Sequence, residues 1–349
     1  MIAHSRPCLG PEELRAAARV IKSGRLSCGR ETLRFEIETA RWAGLRHAVA
    51  LSSGTKALEL ALRAWGIGPG DEVIMPSYCC SALWHATRRA GAEAVLVDCD
   101  LETLNPSPSD VARRLNKRTK ALILPNLFGL PCDPADYGTP KGVRVLQDCA
   151  QAAGAQIGRR FVGATGDACI LSFYATKLLT CGEGGMLLSD SRAVVEAARD
   201  LREYDNKIPD KVRDNAKPGD LQSAIGREQL KKLSRFLARR AAIAEIYDRL
   251  LAGSGLILPP RQPSRVYHRY VVRLRQPAAG KVIARLEARG IPARRPVFRP
   301  LHFDLPCRRR FPNSETAYAC CVSLPLHPLI SDRDAAKIGA SLQAVWAGL

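Results

Sequence analysis

The twelve cysteines include no C-x-x-C pair, the six histidines no H-E-x-x-H, and no G-x-x-x-x-G-K-[ST] loop occurs anywhere in the 349 residues. Zinc ribbons, zinc peptidases and Walker-type nucleotide hydrolases each need such spacings, so none of these classes is expected, and no metal site. Aromatic residues make up only 6% of the chain. Without basic and aromatic residues interleaved there is no stacking platform for single strands, and nucleic acid is not expected as a partner. Residues 1–12 lack the apolar core of a signal peptide. The longest uncharged run, 316–331, is broken by Pro325 and Pro328 and is too short to span a membrane. The cysteines, two pairs of them adjacent (Cys79-Cys80 and Cys320-Cys321), form no secreted disulfide framework. Buried reduced thiols and a cytoplasmic location are expected.

What is present is an ordinary globular composition, 46% hydrophobic and 25% charged. Its charge is lopsided. The net value is +19, and Arg outnumbers Lys by 40 to 13. Residues 258–310 hold fourteen Lys and Arg against Glu287 and Asp304, which is +12 of that total. Clustered arginine suits phosphate. A solvated arginine-rich surface explains the same numbers, and both readings stand.

Residues 45–190 alternate short apolar runs with helical stretches. Strands are expected at 48–51, 72–75, 94–97, 121–124, 143–146, 168–171 and 186–188, and helices at 56–65, 80–90, 108–116 and 191–203. This alternation argues for an α/β fold with a mainly parallel sheet between helices. A long helix is expected over 220–251. After Pro259-Pro260 come a strand at 268–274 and helices at 281–289 and 332–346. A boundary within 250–263 divides a large domain, 1–250, from a smaller α+β domain, 251–349.

Three features could carry chemistry. Ser53-Gly54-Thr55 stands where a strand hands over to a helix, a place where free N–H groups bind phosphate. A plain turn would read the same way. Asp148 follows a strand, at the edge where open α/β sheets bind ligands, although a solvated loop or cap would also place an aspartate there. Lys177 lies in Ser172-Phe173-Tyr174-Ala175-Thr176-Lys177, ahead of Gly182-Glu183-Gly184-Gly185. A desolvated lysine is a nucleophile toward aldehydes, and a carboxylate can keep a pyridine nitrogen protonated. A surface lysine is the plainer alternative.

In combination these segments resemble the DegT/DnrJ/EryC1/StrS aminotransferases, a branch of the fold type I enzymes that depend on pyridoxal 5'-phosphate. The likeness runs from about Leu9 to the C-terminus. It is carried by Leu51-Ser52-Ser53-Gly54-Thr55, Gly68-Pro69-Gly70-Asp71-Glu72-Val73-Ile74, Asp148-Cys149-Ala150-Gln151, Ser172-Phe173 with Thr176-Lys177, and Gly182-Glu183-Gly184-Gly185. Asp220-Leu221-Gln222-Ser223-Ala224-Ile225-Gly226 and Ser323-Leu324-Pro325-Leu326-His327-Pro328 continue it.

The resemblance implies that Lys177 forms the Schiff base with the cofactor, that Asp148 bonds the pyridine nitrogen, and that Gln151 lies against the ring or its phenolic oxygen. Gly54, Thr55 and Ser172 would hold the phosphate. Asn215 would reach the phosphate of a neighbouring subunit, making the active species a homodimer. Cys80 stands where the family usually stacks an aromatic residue, with Tyr78 two positions away; both are candidate cofactor contacts. Ala216-Lys217 and Gln147 also depart from the family pattern.

The implied reaction moves an amino group from an amino acid, usually L-glutamate, to a keto sugar, commonly nucleotide-linked, for surface polysaccharide or secondary-metabolite synthesis. Amination of a cyclitol or another non-nucleotide ketone remains open. Related dehydratases have histidine at the lysine position, which Lys177 argues against. A catalytically silent regulator or nucleic-acid binder on the same fold would show a broken lysine or aspartate, and both are intact.

Overall fold

The structure, a computed structural model, describes residues 2–307 and 309–349. Two helices to which the sequence reading assigns nothing come first: α1 (Pro11–Ser23) and α2 (Arg30–Ala43). α1 starts at a proline with Glu12 and Glu13 in its first turn and stops at Gly24, whose φ of 68° only glycine adopts without strain. α2 begins after Gly29, which has no side chain to cap it. Asp220, 191 residues away, fills that role by accepting from Gly29 N at 2.8 Å and Thr32 N at 2.9 Å.

The expected alternation follows: β1 (His47–Leu51), α3 (Gly54–Ala64), β2 (Glu72–Pro76), α4 (Ala82–Arg89), β3 (Glu93–Val97), α5 (Pro108–Arg114), β4 (Thr119–Leu124) and β5 (Arg144–Asp148). After a short hairpin, β6 (Gln156–Ile157) and β7 (Arg160–Phe161), come β8 (Ala168–Ser172), β9 (Gly185–Ser189) and α6 (Arg192–Leu201). Seven strands form one sheet in the order β1-β9-β8-β5-β4-β2-β3. The pairs β2–β3, β2–β4, β4–β5 and β5–β8 are parallel, and only β9 runs against its neighbours. Residues 121–124 are fully buried and 168–171 nearly so. Their uninterrupted apolar runs are what a strand covered on both faces requires.

α7 (Asp220–Leu251) runs 32 residues and packs on α1, α2 and the last helix, α10 (Asp332–Ala347). Beyond it β10 (Tyr270–Arg273) pairs antiparallel with β11 (Cys321–Leu324), flanked by α8 (Ala279–Glu287) and α9 (Pro312–Cys320). The uncharged run 316–331 thus ends α9 and forms β11. Among the described residues no helix is long and apolar enough to cross a membrane.

Because six strands of the large sheet point the same way, β1, β2, β5 and β8 end at one edge. Antiparallel β9 starts there, with Gly185 opposite Leu51 and Ser172. This edge is the site's floor.

Candidate active site

The turn after β1 hands the chain to α3. Ser53 caps the helix by accepting from Lys56 N at 3.1 Å. The amides of Gly54 and Thr55 are left without intrahelical partners, at the positive end of the helix dipole. Two glycines let the neighbouring chain segments close on this turn. A Cβ on Gly54 would stand 2.8 Å from Ser172 Cβ, and one on Gly185 would stand 2.3 Å from the Ser53 carbonyl. The Ser172 hydroxyl therefore lies against the helix N-terminus, and the three residues make a cradle suited to a phosphate. Gly54→Ala should displace Ser172 and weaken pyridoxal phosphate binding about tenfold or more, in line with the ~1–3 kcal/mol cost of overpacking. Titrating apoprotein with the cofactor and following visible absorption measures this.

Lys177 comes from the loop between β8 and β9. Leu178, Leu179 and Cys181 anchor that loop in the core, Thr180 Oγ1 donates to Phe173 O at 2.9 Å, and Lys177 N donates to Tyr174 O at 2.9 Å. Burial lowers the pKa of the amine, while the nearby Asp148 charge works the other way. The free-base fraction that attacks a carbonyl is raised as a result.

Asp148 ends β5 in a buried setting. Its Oδ1 accepts from Ala150 N at 2.9 Å. No salt bridge engages it among the described residues. Desolvation pushes its pKa up to about 6, against the pull of the Ala150 amide and the Lys177 charge. A buried carboxylate short of a cationic partner and facing a cavity fits a protonated ring nitrogen.

Gln151 Oε1 accepts from Phe128 N at 3.0 Å and from His268 Nδ1 at 3.2 Å. That leaves the carboxamide N–H groups free for the cavity. His268 is held neutral by burial and by the charges of Lys177 and Arg269. Its Nδ1 must carry the proton to make this bond, because Gln151 Oε1 is an acceptor.

A cavity of about 290 Å³ gathers Gly54, Thr55, Cys80, Asp148, Gln151, Ser172 and Lys177. It shares Cys80, Gln151 and Lys177 with a second cavity of about 450 Å³, walled by Trp84, His85, His268, Arg269, Phe298 and Arg299. The cradle, the unpaired carboxylate and the deprotonable lysine together fit pyridoxal phosphate in the smaller space, with room beyond it for a second molecule.

Two of the expected contacts stand elsewhere. The chain turns after β2, with Cys79 N donating to Ser77 O at 3.0 Å. Cys80 emerges into both cavities while Tyr78 is buried with Cys99, Leu104, Leu127 and Phe128. Asn215 is exposed and lines neither cavity. Its loop is fixed all the same. Ala216 O accepts from Ser52 N at 2.8 Å, and Asp214 pairs with Lys56 at 3.1 Å and Arg63 at 2.5 Å. The departure at Gln147 has a structural use, since its amide bonds Asn126, Cys132 O and Thr165 around a buried turn.

Of the thirteen basic residues in 258–310 that the structure describes, only Arg269 and Arg299 line the larger cavity. Others are engaged elsewhere: Arg261 with Asp248, Arg294 with Glu287, Arg309 with Asp110, and Arg275 and Arg285 with peptide carbonyls. Sequence reasoning missed His268, Arg269, Trp84 and His85. A histidine and an arginine opening a strand carry no pattern that separates them from surface residues. They reach the cavity only because the β10–β11 sheet packs beside the lysine loop.

Residues 7–343 match the model of the DegT/DnrJ/EryC1/StrS aminotransferase family. The chain is 34% identical to a dTDP-4-dehydro-2,3,6-trideoxy-D-glucose 4-aminotransferase of Saccharopolyspora spinosa, over 98% of this chain and 96% of the relative. Its fold superposes on the crystal structure of the aminotransferase TlmJ from Streptoalloteichus hindustanus with a TM-score of 0.95, at 33% identity, covering 100% of this chain and 99% of that one. On S. venezuelae DesV the TM-score is 0.90 at 32% identity, covering 95% and 94% of the two chains. The chain belongs to the DegT/DnrJ/EryC1/StrS aminotransferase family, whose members depend on pyridoxal phosphate.

Proposed function

We propose that this aminotransferase moves an amino group from L-glutamate to the keto group of a nucleotide-linked sugar. The observation that carries the reading is the meeting of Lys177 and Asp148 in one cavity that joins a larger one. Pyridoxal phosphate, when bound, supplies an electron sink for the carbon that gains or loses the amino group. The chain's own groups do the rest. The α3 N-terminus and Ser172 bind phosphate. Asp148 would hold a proton on the ring nitrogen, and the free carboxamide N–H groups of Gln151 would serve the ring oxygen. Lys177 Nζ would hold the cofactor's aldehyde carbon, and its amine is the group placed to take and return a proton at the reacting carbon. Cys80 lies where a ring face would be covered. Donor and acceptor use the same lysine in turn, so ping-pong kinetics are expected.

The nucleotide-linked acceptor is supported by the name of the S. spinosa relative and by Arg299. That residue lines the larger cavity, is 42% exposed and is held by Asp304 at 2.9 Å, so its guanidinium is placed to exchange this carboxylate for a diphosphate. The experiment is to give the glutamate-loaded enzyme a dTDP-linked keto sugar and the corresponding free keto sugar. Equal efficiency would overturn the nucleotide requirement. Absence of any spectral change on adding L-glutamate to holoenzyme would overturn the donor.

The same reading makes the working unit a cytoplasmic homodimer, each chain dividing near residue 250 into a cofactor-binding part and a smaller C-terminal part. Leu9, Leu14, Ile21, Leu26, Leu33 and Ile37 are all about half exposed or more, an apolar set that a second copy would cover. Asn215 projects from its fixed loop and would enter the partner's site. Lys177→Ala and Asn215→Ala should each be inactive alone. Mixed after exchange of subunits, they should recover about a quarter of wild-type activity, because one site in each heterodimer is whole. No recovery despite heterodimers seen by native mass spectrometry would place Asn215 outside the site.

A further inference from the structure

One wall of the larger cavity is a strap, residues 298–305, that brings Phe298, Arg299, Leu301, Asp304 and Leu305 to the space. Much of it faces solvent, and Phe298 is 87% exposed. Among the described residues, every hydrogen bond within 3.5 Å that leaves this strap ends on one residue, Ser77. Leu301 N donates to Ser77 O at 2.8 Å, His302 N donates to Ser77 Oγ at 3.2 Å, and His302 Nδ1 lies 2.6 Å from the same hydroxyl.

Ser77 follows β2 and is fully buried. Its carbonyl also accepts from Cys79 N, in the turn that sends Cys80 into both cavities. One residue therefore holds the Cys80 turn and the strap together. Ser77 Oγ accepts from the His302 amide, so its own proton is free for His302 Nδ1. Burial lowers the pKa of the imidazole, against the pull of Glu315 and Asp98, and the ring is neutral. Nδ1 is then bare to accept, and the ring proton sits on Nε2, 3.6 Å from Glu315 Oε1. Phe311 stacks on the imidazole at 4.5 Å. Serine, histidine and glutamate stand in the order of a hydrolase triad, but Ser77 lines neither cavity, so its hydroxyl positions and does not attack.

We infer that Ser77 and His302 are a positioning pair that pins the strap 298–305 to the Cys80 turn and so sets where Phe298 and Arg299 stand over the acceptor. This rests on the reading above that a nucleotide-linked sugar occupies the larger cavity, and adds to it the residues that hold that cavity's wall in place. A strap tied by hydrogen bonds to a single residue shifts when that tie is lost, and a displacement of about 1 Å is enough to weaken a positioned contact. The groups that meet a small amino donor, Lys177, Asp148 and Gln151, make no hydrogen bond to the strap. The pair therefore acts on the acceptor half-reaction and not on the donor half-reaction.

The test uses Ser77→Ala, His302→Asn and His302→Gln. In holoenzyme, Ser77→Ala should raise the KM for a dTDP-linked keto sugar about tenfold, the loss expected when a buried hydroxyl and its bonds are removed. Amino transfer from L-glutamate, read as bleaching of the visible band, should stay within a few-fold of wild type. His302→Asn keeps an acceptor near the place of Nδ1 and should retain a KM close to wild type. His302→Gln reaches toward the place of Nε2 instead and should match Ser77→Ala. Both variants lose the stacking on Phe311, so a merely structural histidine would make them equal. One readout needs no turnover. Hydrogen–deuterium exchange in a peptide covering 296–305 should be faster in Ser77→Ala and His302→Gln than in wild type and His302→Asn. An unchanged acceptor KM in Ser77→Ala overturns the inference, as do equal KM values for the two histidine variants or a loss shared by the glutamate half-reaction. If Ser77→Ala does not fold, the histidine variants decide. Should wild type aminate no nucleotide-linked sugar, the proposed acceptor fails, and the exchange comparison still decides whether Ser77 and His302 pin the strap.

Discussion

Lys177→Ala is expected to fold, to bind pyridoxal phosphate without covalent attachment, and to transfer amino groups at least about 10⁴-fold more slowly, the upper range for loss of a positioned proton carrier. The fold should survive because Lys177 contributes little to packing. Its neighbours Leu178, Leu179 and Cys181 hold the loop in the core, and Thr180 closes it onto Phe173 O. Removing a desolvated amine also removes a source of strain. Steady-state turnover and the visible spectrum measure the effect. Borohydride reduction and peptide mapping should place the cofactor on Lys177 in wild type and on no residue in the variant. A label elsewhere in wild type would overturn the assignment. Methylamine in the buffer should restore part of the lost rate, because a free amine can occupy the vacated space.

Asp148→Asn should lower turnover by about 10²–10³-fold, because breaking a buried ion pair costs roughly 3–5 kcal/mol and leaves the ring nitrogen without a counter-charge. The same substitution should stabilise the apoprotein, with a definite pH signature. Burial raises the pKa of the Asp148 carboxyl to about 6, from an ordinary value of 3.8. The folded state therefore binds its proton more tightly than the unfolded state. Unfolding releases protons between those two values, and the stability of wild-type apoprotein falls as pH rises through that window. The full difference is on the order of 3 kcal/mol, reached above the folded pKa and absent below the unfolded one. Asp148→Asn carries no such penalty. Its apoprotein should melt higher than wild type at pH 8 and at nearly the same temperature near pH 3.5. Equal melting temperatures at pH 8 would show that Lys177 already neutralises the carboxylate without the cofactor.

The continuous apolar runs at 121–124 and 168–171 were legible as buried strands because burial on both faces leaves no place for polar residues. The long helix over 220–251 was legible to the residue, opened by an acid and followed by a change of pattern. α1 and α2 were not, and the reason is physical. Glu13, Glu36 and Thr39 are buried while Leu14, Ile21, Leu33 and Ile37 face outward, so hydrophobicity points away from this chain's own core. Periodicity read toward one core passes over such helices.

For the candidate site, the sequence alone determined residue types and edges. A strand–glycine–helix turn, a carboxylate after a strand and a lysine before a glycine cluster fall where an open sheet binds ligands, and the family likeness assigned them chemistry. Tertiary structure decided which side chains turn toward that edge. A single backbone turn after β2 exposes Cys80 and buries Tyr78, and nothing in Tyr78-Cys79-Cys80 announces it. It also decided what becomes of the charge. Several of the arginines in 258–310 are tied to carboxylates or carbonyls, and among the described residues Arg269 is the one left in the cavity wall with no anionic partner. Composition counts charges, whereas pairing depends on distances across a fold whose contacts join residues hundreds of positions apart.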